Sequence, residues 1–144
     1  MKLSKQGIIP ALFLITVMLL GGMSNTAFAG DNDPLFVNIT THDAYRAGMG
    51  INFGKAMMGK GHPLTILLND KGVFVASTAK SKKYAENQKM LSELAEKGAT
   101  ILACPACLKH YKIKDTELVP GVKVGSPDSI GDALFKDNTK TMTW

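Results

Sequence analysis

The segment Thr100-Ile101-Leu102-Ala103-Cys104-Pro105-Ala106-Cys107 marks a junction between a strand and a helix, and it contains both cysteines of the chain. Its first four residues form an apolar run that is typical of a buried strand. Proline fits the first position of a helix, so Pro105 predicts that a helix begins directly after the strand. Two thiols at this spacing can close a disulfide, hold a soft metal, or present a nucleophilic sulfur beside a second, resolving thiol.

Apolar runs alternate with helical patterns along the rest of the chain. We predict strands at 35–39, 64–68, 100–103, 122–124 and 139–144, and helices at 44–60, 81–97, 104–112 and 126–136. Residues 73–76 fit either a strand extension or a loop. This alternation predicts an α/β sandwich around a mainly parallel five-stranded sheet. Reactive groups in such sheets lie beyond the carboxyl ends of the strands, and the cysteine pair lies at the end of one.

The first 29 residues have the composition of a secretory signal peptide. They combine Lys2 and Lys5, the apolar run 8–20, and the small-residue cleavage site Ala27-Phe28-Ala29. An uncleaved membrane anchor is the alternative, because residues 6–30 carry no charge, but Pro10 and the Gly21-Gly22 pair favour cleavage. We therefore expect a periplasmic or otherwise exported protein with one domain, residues 30–144, which is free of the membrane after cleavage.

The charge of the chain is mildly positive and dispersed. The formal net charge is +5, and it falls to +3 without Lys2 and Lys5. The remaining basic residues are scattered lysines and one arginine, Arg46. Such a pattern is typical of a solvated surface, so we predict no nucleic-acid partner.

The predicted helix start would activate Cys104. Unpaired backbone N–H groups at a helix start stabilise a thiolate, and Lys109 adds positive charge nearby. Helical spacing places Cys104, Cys107 and either His110 or Tyr111 on one face. His42 follows the first strand, at the same edge of the sheet, so it could line a pocket with the cysteines.

Two other uses of the thiol pair follow from the residues alone. Cys104, Cys107 and His110 could bind Cu(I) or zinc, although a closed zinc site needs a fourth ligand, for which only His42 and His62 are available. The pair could also belong to an exported thiol-disulfide redox protein, since Cys-x-x-Cys at a helix N-terminus is the thioredoxin-type arrangement. Two features differ from thioredoxin-like folds and count against redox exchange. No Trp precedes the pair, and the pair follows the third strand, whereas in those folds it follows an earlier strand.

Several short motifs, taken in order, resemble the DsrE/DsrF-like family over essentially the whole segment 30–144. They are Leu67-Leu68-Asn69-Asp70-Lys71-Gly72-Val73, Glu96-Lys97-Gly98-Ala99, Cys104-Pro105-Ala106-Cys107 with Ile113 after it, and Leu118-Val119-Pro120-Gly121-Val122. The resemblance implies a flavodoxin-like or Rossmann-like three-layer sandwich and assembly into a homotrimer or homohexamer. The chain departs from the cytoplasmic relay members by its export signal and by Lys112, where several of them have glycine.

The resemblance also implies a function. Sulfur-relay members such as the TusD-like subunits carry sulfur as a persulfide on the cysteine that matches Cys104, and part of the family has a second cysteine, which matches Cys107. We therefore expect thiol-based sulfur handling, with Cys104 as the sulfur carrier and Cys107 as the resolving thiol. The expected partners are sulfur donor and acceptor proteins or small sulfur compounds, and no bound cofactor is predicted.

Overall fold

The computed structural model describes residue 30 and residues 32–144, and the predicted signal peptide, 1–29, lies outside the described residues. Five strands are present, β1 (Leu35–Ile39), β2 (Leu64–Leu68), β3 (Thr100–Ala103), β4 (Val122–Val124) and β5 (Lys140–Thr143). Four α-helices connect them, α1 (Ala44–Gly59), α2 (Ser81–Glu96), α3 (Pro105–His110) and α4 (Pro127–Leu134). Short 3-10 segments cover Asp70–Ala76, Thr78–Lys80 and Asp115–Glu117.

The five strands form one sheet in the order β4-β3-β2-β1-β5, and all four strand pairs are parallel. This arrangement confirms the predicted α/β fold, and the sheet of the described residues is parallel throughout. Parallel strands all end at the same edge of the sheet. The loops after β1, β2 and β3 therefore lie side by side, which brings residues far apart in sequence to the cysteine pair.

Side chains alternate between the two faces of the sheet, and helices cover both. The larger core contains Val37, Ile66 and Ile101 from the strands, packed against Ile51 of α1 and Leu91 of α2. The opposite face presents a small apolar cluster that α4 covers. This second cluster contains Phe36, Leu67 and Leu102, with Ile130, Ala133 and Leu134 against it. The molecule is thus a three-layer sandwich with one thick and one thin helical layer.

Helix α1 begins and ends as its sequence predicts. The side chain of Asp43 accepts a hydrogen bond from the Arg46 N–H at 2.8 Å, which caps the helix start. Gly61 follows the helix with a φ of 98°, a left-handed conformation that glycine adopts without strain. Within the described residues, no helix is both long enough and apolar enough to cross a membrane.

The segment after β2 differs from its prediction. Residues 73–76 belong to neither a strand extension nor a loop, because the chain from Asp70 to Ala76 winds into a 3-10 helix. Its backbone presses against the end of β1, where a Cβ on Gly72 would lie 2.0 Å from the Ile39 carbonyl oxygen. The side chains of Val73 and Val75 are buried in the core from the turns of this 3-10 helix.

Candidate functional site

The cysteine pair lies at the carboxyl edge of the sheet, where β3 passes into α3. The Cys104 N–H donates to the Leu68 carbonyl at 2.9 Å, which ties the first cysteine to the end of the neighbouring strand β2. Cys104 is the N-cap of α3, and Pro105 occupies its first turn. Leu108 is buried in the larger core and holds the helix down. Strand, cap and buried anchor together fix the position of both sulfurs.

The two sulfur atoms are in direct contact. Both cysteines are free thiols and half-buried, and their Sγ atoms lie 2.7 Å apart. The Cys107 backbone N–H also donates to Cys104 Sγ, at 3.4 Å. Cys104 Sγ therefore accepts from two donors, both on Cys107. A disulfide could form here without rearrangement of the backbone, because the sulfurs already face each other.

The turn after β2 supplies further partners for Cys107. Its Sγ lies 3.2 Å from Asn69 Oδ1, a second acceptor for the Cys107 S–H, and 3.2 Å from the Asp70 backbone nitrogen, which donates. The Asn69 oxygen also accepts from the Asp70 N–H at 2.8 Å and thereby shapes the turn. Asp70 has a φ of 45°, in the left-handed region that non-glycine residues seldom adopt. The Asp70 N–H is thus shared between the Asn69 oxygen and the Cys107 sulfur.

Tyr111 holds the Asp70 turn from the other side. Its hydroxyl donates to Asp70 Oδ1 at 2.6 Å, and its ring packs on Phe74 with the ring centroids 4.7 Å apart. The hydrogen bond lowers the pKa of the Asp70 carboxyl and raises the pKa of the Tyr111 hydroxyl, because it favours a charged acceptor and a neutral donor. Tyr111 therefore connects the end of α3 to the turn that contacts Cys107.

The surroundings of Cys107 favour its neutral form. Burial and the hydrogen bond with Cys104 raise the pKa of the Cys107 thiol to about 11, and the negative charge of Asp70 acts in the same direction. The Asp70 N–H, which would stabilise a thiolate, opposes these effects only in part. At neutral pH Cys107 is thus a protonated thiol beside Cys104.

Three other side chains predicted for the site lie away from the sulfurs. His42 lines a separate cavity of about 210 Å³ together with Phe74, Lys80, Lys83 and Tyr84. Its carbonyl accepts from Lys83 Nζ at 2.8 Å and from the Tyr84 hydroxyl at 2.7 Å. Lys109 and His110 are exposed on α3, and the His110 ring packs edge-on against Tyr111 at 4.7 Å. The hydrogen bond from Tyr111 is the main cause of the lowered pKa of Asp70, and the charge of His110 adds to it.

The side chains of the described residues do not form the Cu(I) or zinc site that was considered as an alternative. Among the residues that the structure describes, no three His, Cys, Asp or Glu side chains converge as a metal site. The trio Cys104, Cys107 and His110 is therefore not assembled as a ligand set. His62, the other candidate ligand, is engaged elsewhere, with its Nδ1 2.9 Å from the Asp33 carbonyl.

The sequence did not predict the contacts of Cys107 with Asn69 and Asp70, or the contact of Asp70 with Tyr111. The signal that could have found Asn69 and Asp70 is their position directly after β2, since adjacent parallel strands bring their ends together. The sequence alone does not say that β2 and β3 are neighbours. Tyr111 is four residues after Cys107, and helical spacing did bring it to the same face as the cysteines.

The fold and the site define a class of protein, a parallel α/β domain with a vicinal pair of free thiols at the carboxyl edge of its sheet. Comparison with known sequences narrows the class. The chain belongs to the DsrE/DsrF-like family, which it matches over residues 35–142. Members of this family act in sulfur relay with partner proteins, and membership associates this chain with sulfur relay in general.

Individual proteins resemble the chain in sequence or in structure. The chain is 28% identical over 111 residues to the uncharacterized protein MJ0989 of Methanocaldococcus jannaschii, covering 74% of this chain and 97% of the relative. A protein of unknown function from Methanobacterium thermoautotrophicum, MTH1491, has a similar structure with a TM-score of 0.66 at 19% identity, covering 78% and 100% of the two chains. The ychN protein of E. coli gives 0.62 at 14% identity, covering 78% and 99%. At these identities the solved structures show the fold alone.

Proposed function

We propose that the protein carries sulfane sulfur as a persulfide on Cys104, with Cys107 as the resolving thiol. One observation supports this division of roles above all. Cys104 Sγ accepts hydrogen bonds from both the N–H and the S–H of Cys107. Donors directed at a sulfur stabilise its thiolate, and the thiolate is the nucleophile in sulfur transfer. Cys107, kept neutral by its surroundings, is the weaker nucleophile of the pair.

Loading and unloading are each a single displacement at sulfur. The Cys104 thiolate attacks the outer sulfur of a donor persulfide, and the donor leaves as a thiolate once its S–S bond breaks. Cys104 then holds the outer sulfur. An acceptor thiolate takes that sulfur by the same displacement, which regenerates the Cys104 thiolate. No external oxidant or reductant is consumed, because the sulfane sulfur only changes its carrier.

The proposal includes export and assembly. Cleavage after Ala29 would release the single domain, residues 30–144, into an oxidising compartment, where the donor and acceptor differ from those of cytoplasmic relays. The domain would assemble as a homotrimer or homohexamer, as the family resemblance implies. The intact mass of protein recovered from the exported fraction tests the cleavage, and light scattering of that protein tests the assembly.

Mass spectrometry tests the persulfide assignment directly. The wild type, Cys104→Ser and Cys107→Ser would each be reduced, incubated with a small persulfide donor, and analysed intact under non-reducing conditions. We expect one additional sulfur on the wild type and on Cys107→Ser, and none on Cys104→Ser. An adduct of undiminished yield on Cys104→Ser would overturn the assignment of the carrier.

A thiol-disulfide redox function is the second candidate, favoured by the 2.7 Å separation of the two sulfurs. The spectrum of Cys107→Ser separates the candidates, because a sulfur carrier retains the additional sulfur in this variant, whereas a redox protein gains none. A reduction-potential titration then decides whether a disulfide formed here could exchange with partner thiols. A disulfide much more reducing than those of exported oxidoreductases would argue against such exchange.

A further inference from the structure

We infer that Asp70 and Tyr111 form a positioning pair that controls how readily Cys107 attacks the sulfur held on Cys104, and so sets how long that sulfur is retained. The inference rests on the proposed function and assigns two residues to its regulation. Neither residue contacts the reacting sulfur of Cys104 in the described contacts, so the pair acts through Cys107.

Asp70 contacts Cys107 through its backbone and Tyr111 through its side chain. Its N–H points at Cys107 Sγ at 3.2 Å, while its carboxylate accepts the Tyr111 hydroxyl at 2.6 Å. Because the residue has a φ of 45°, both groups face α3 at once. Packing on Phe74 fixes the Tyr111 ring. Displacing the tyrosine hydroxyl would therefore release the turn that carries the N–H.

Three ionisable groups face Cys107, and the positive charges of Lys71 and His110 act on one of them, Asp70. Cys104 approaches from the start of α3, Asp70 from the 3-10 segment, and Tyr111 from the end of α3. The Asp70 carboxylate opposes formation of a Cys107 thiolate, and the Asp70 N–H favours it. Tyr111 influences both effects on the Cys107 thiolate. Its hydroxyl donates a hydrogen bond to the Asp70 carboxylate, and this bond also helps to keep the Asp70 N–H near the sulfur.

The step that this pair would control is the internal release of sulfide. Cys107 first loses its proton to solvent, and its thiolate then attacks Cys104 Sγ. A bond forms between the two cysteine sulfurs, the bond from Cys104 to the outer sulfur breaks, and the outer sulfur leaves as HS⁻. The outer sulfur is reduced and the two cysteines are oxidised to a disulfide, so atoms and electrons balance. A protonated Cys107 cannot begin this step.

Two conservative variants should move the step in opposite directions. Asp70→Asn removes the negative charge but retains an oxygen for Tyr111 and the backbone N–H, so Cys107 should deprotonate at lower pH. Tyr111→Phe retains the ring packing but frees the carboxylate and loosens the turn, so Cys107 should deprotonate at higher pH. At a fixed pH near neutrality, we expect changes of about twofold to tenfold, the range that midpoint shifts of up to one pH unit produce.

The experiment has two arms. In the first, protein preloaded with persulfide and freed of donor is followed with a sulfide electrode over a range of pH, without an acceptor thiol. In the second, alkylation of Cys107 in the Cys104→Ser background is mapped over the same range by peptide mass spectrometry. Asp115→Asn and Tyr45→Phe serve as controls, because they remove a matched charge or hydroxyl from exposed positions away from the site.

Faster sulfide release with Asp70→Asn and slower release with Tyr111→Phe, with matching shifts in alkylation and unchanged controls, is the expected result. Shifts of both variants in the same direction, or none beyond the controls, would overturn the inference. The alkylation arm needs no persulfide. If the wild type fails to load sulfur, the proposed function fails, and the alkylation midpoints still decide whether the pair governs Cys107.

Discussion

The close approach of Gly72 to the end of β1 gives the sharpest prediction of stability. In Gly72→Ala the new methyl group would lie 2.0 Å from the Ile39 carbonyl oxygen and 2.8 Å from its carbon. Ordinary contact begins at about 3.4 Å. The obstructing atoms belong to a strand backbone, which is paired with β2 on one side and β5 on the other and cannot rotate away as a side chain could.

Relief of this clash requires the 3-10 segment to move outward by more than 1 Å, against its own buried valines. Overpacking of this kind costs about 1–3 kcal/mol. For a domain near 100 residues, each kcal/mol lowers the melting temperature by about 4–8 °C, so we expect a fall on the order of 10 °C. The movement would also weaken the hydrogen bond from the Asn69 N–H to the Ile39 carbonyl, 2.8 Å in the wild type.

Thermal unfolding by circular dichroism measures the first effect, and the rate of Cys107 alkylation measures the second, because the displaced turn carries the Asn69 and Asp70 partners of that sulfur. Gly59→Ala is the matched control, since a Cβ there meets nothing within 4 Å. The control should melt at or slightly above the wild-type temperature. Equal melting temperatures for Gly72→Ala and the wild type would refute the reasoning.

Two further predictions concern the thiol and the first helix. The folded state raises the pKa of Cys107 from 9.0 to about 11, so the stability gained from its neutral form is complete below pH 9 and disappears as the pH rises through about 11. Chemical denaturation should therefore show a greater loss of stability between pH 9 and 11 in the wild type than in Cys107→Ser, and parallel profiles would contradict this. Asp43→Ala removes the acceptor for the Arg46 N–H and should cost about 1 kcal/mol in urea unfolding, whereas Asp43→Asn should cost almost nothing. Equal losses for both substitutions would exclude capping as the cause.

The fold was predictable because local and global signals agree. The run Leu35–Ile39 is apolar on both faces except at Asn38, as expected of a strand buried between two helical layers. Residues at the helix ends marked the boundaries of the helices, such as the N-cap Asp43 before α1 and Gly98 after α2. The prediction of a strand extension or a loop at 73–76 was wrong, because nothing local in the sequence shows that the Ile39 carbonyl leaves room only for glycine at position 72.

The site was predictable only where it is local in sequence. Cys104 as an N-cap and Pro105 in the first turn follow from the adjacent residues, and both are observed. The contacts of Asn69 and Asp70 with Cys107 span 37 or 38 residues and depend on β2 and β3 being neighbours. His42 was predicted to line a pocket with the cysteines, but it lies away from them. It lies at the predicted edge, but the order of strands places β2 between its loop and that of the cysteines.

The pairing of β1 with β5 has a consequence for synthesis of the chain. Thr40 and Trp144, which are hydrogen-bonded across this pair, are 104 residues apart in sequence. While the chain emerges from the ribosome, β1 can recruit β2 as soon as α1 is complete, but its other edge stays open until residues 140–143 have been made. Closing so long a loop is slow, so we expect the nascent domain to expose an apolar strand edge for most of its synthesis. A chaperone that shields extended segments would therefore be needed most before the last strand is translated.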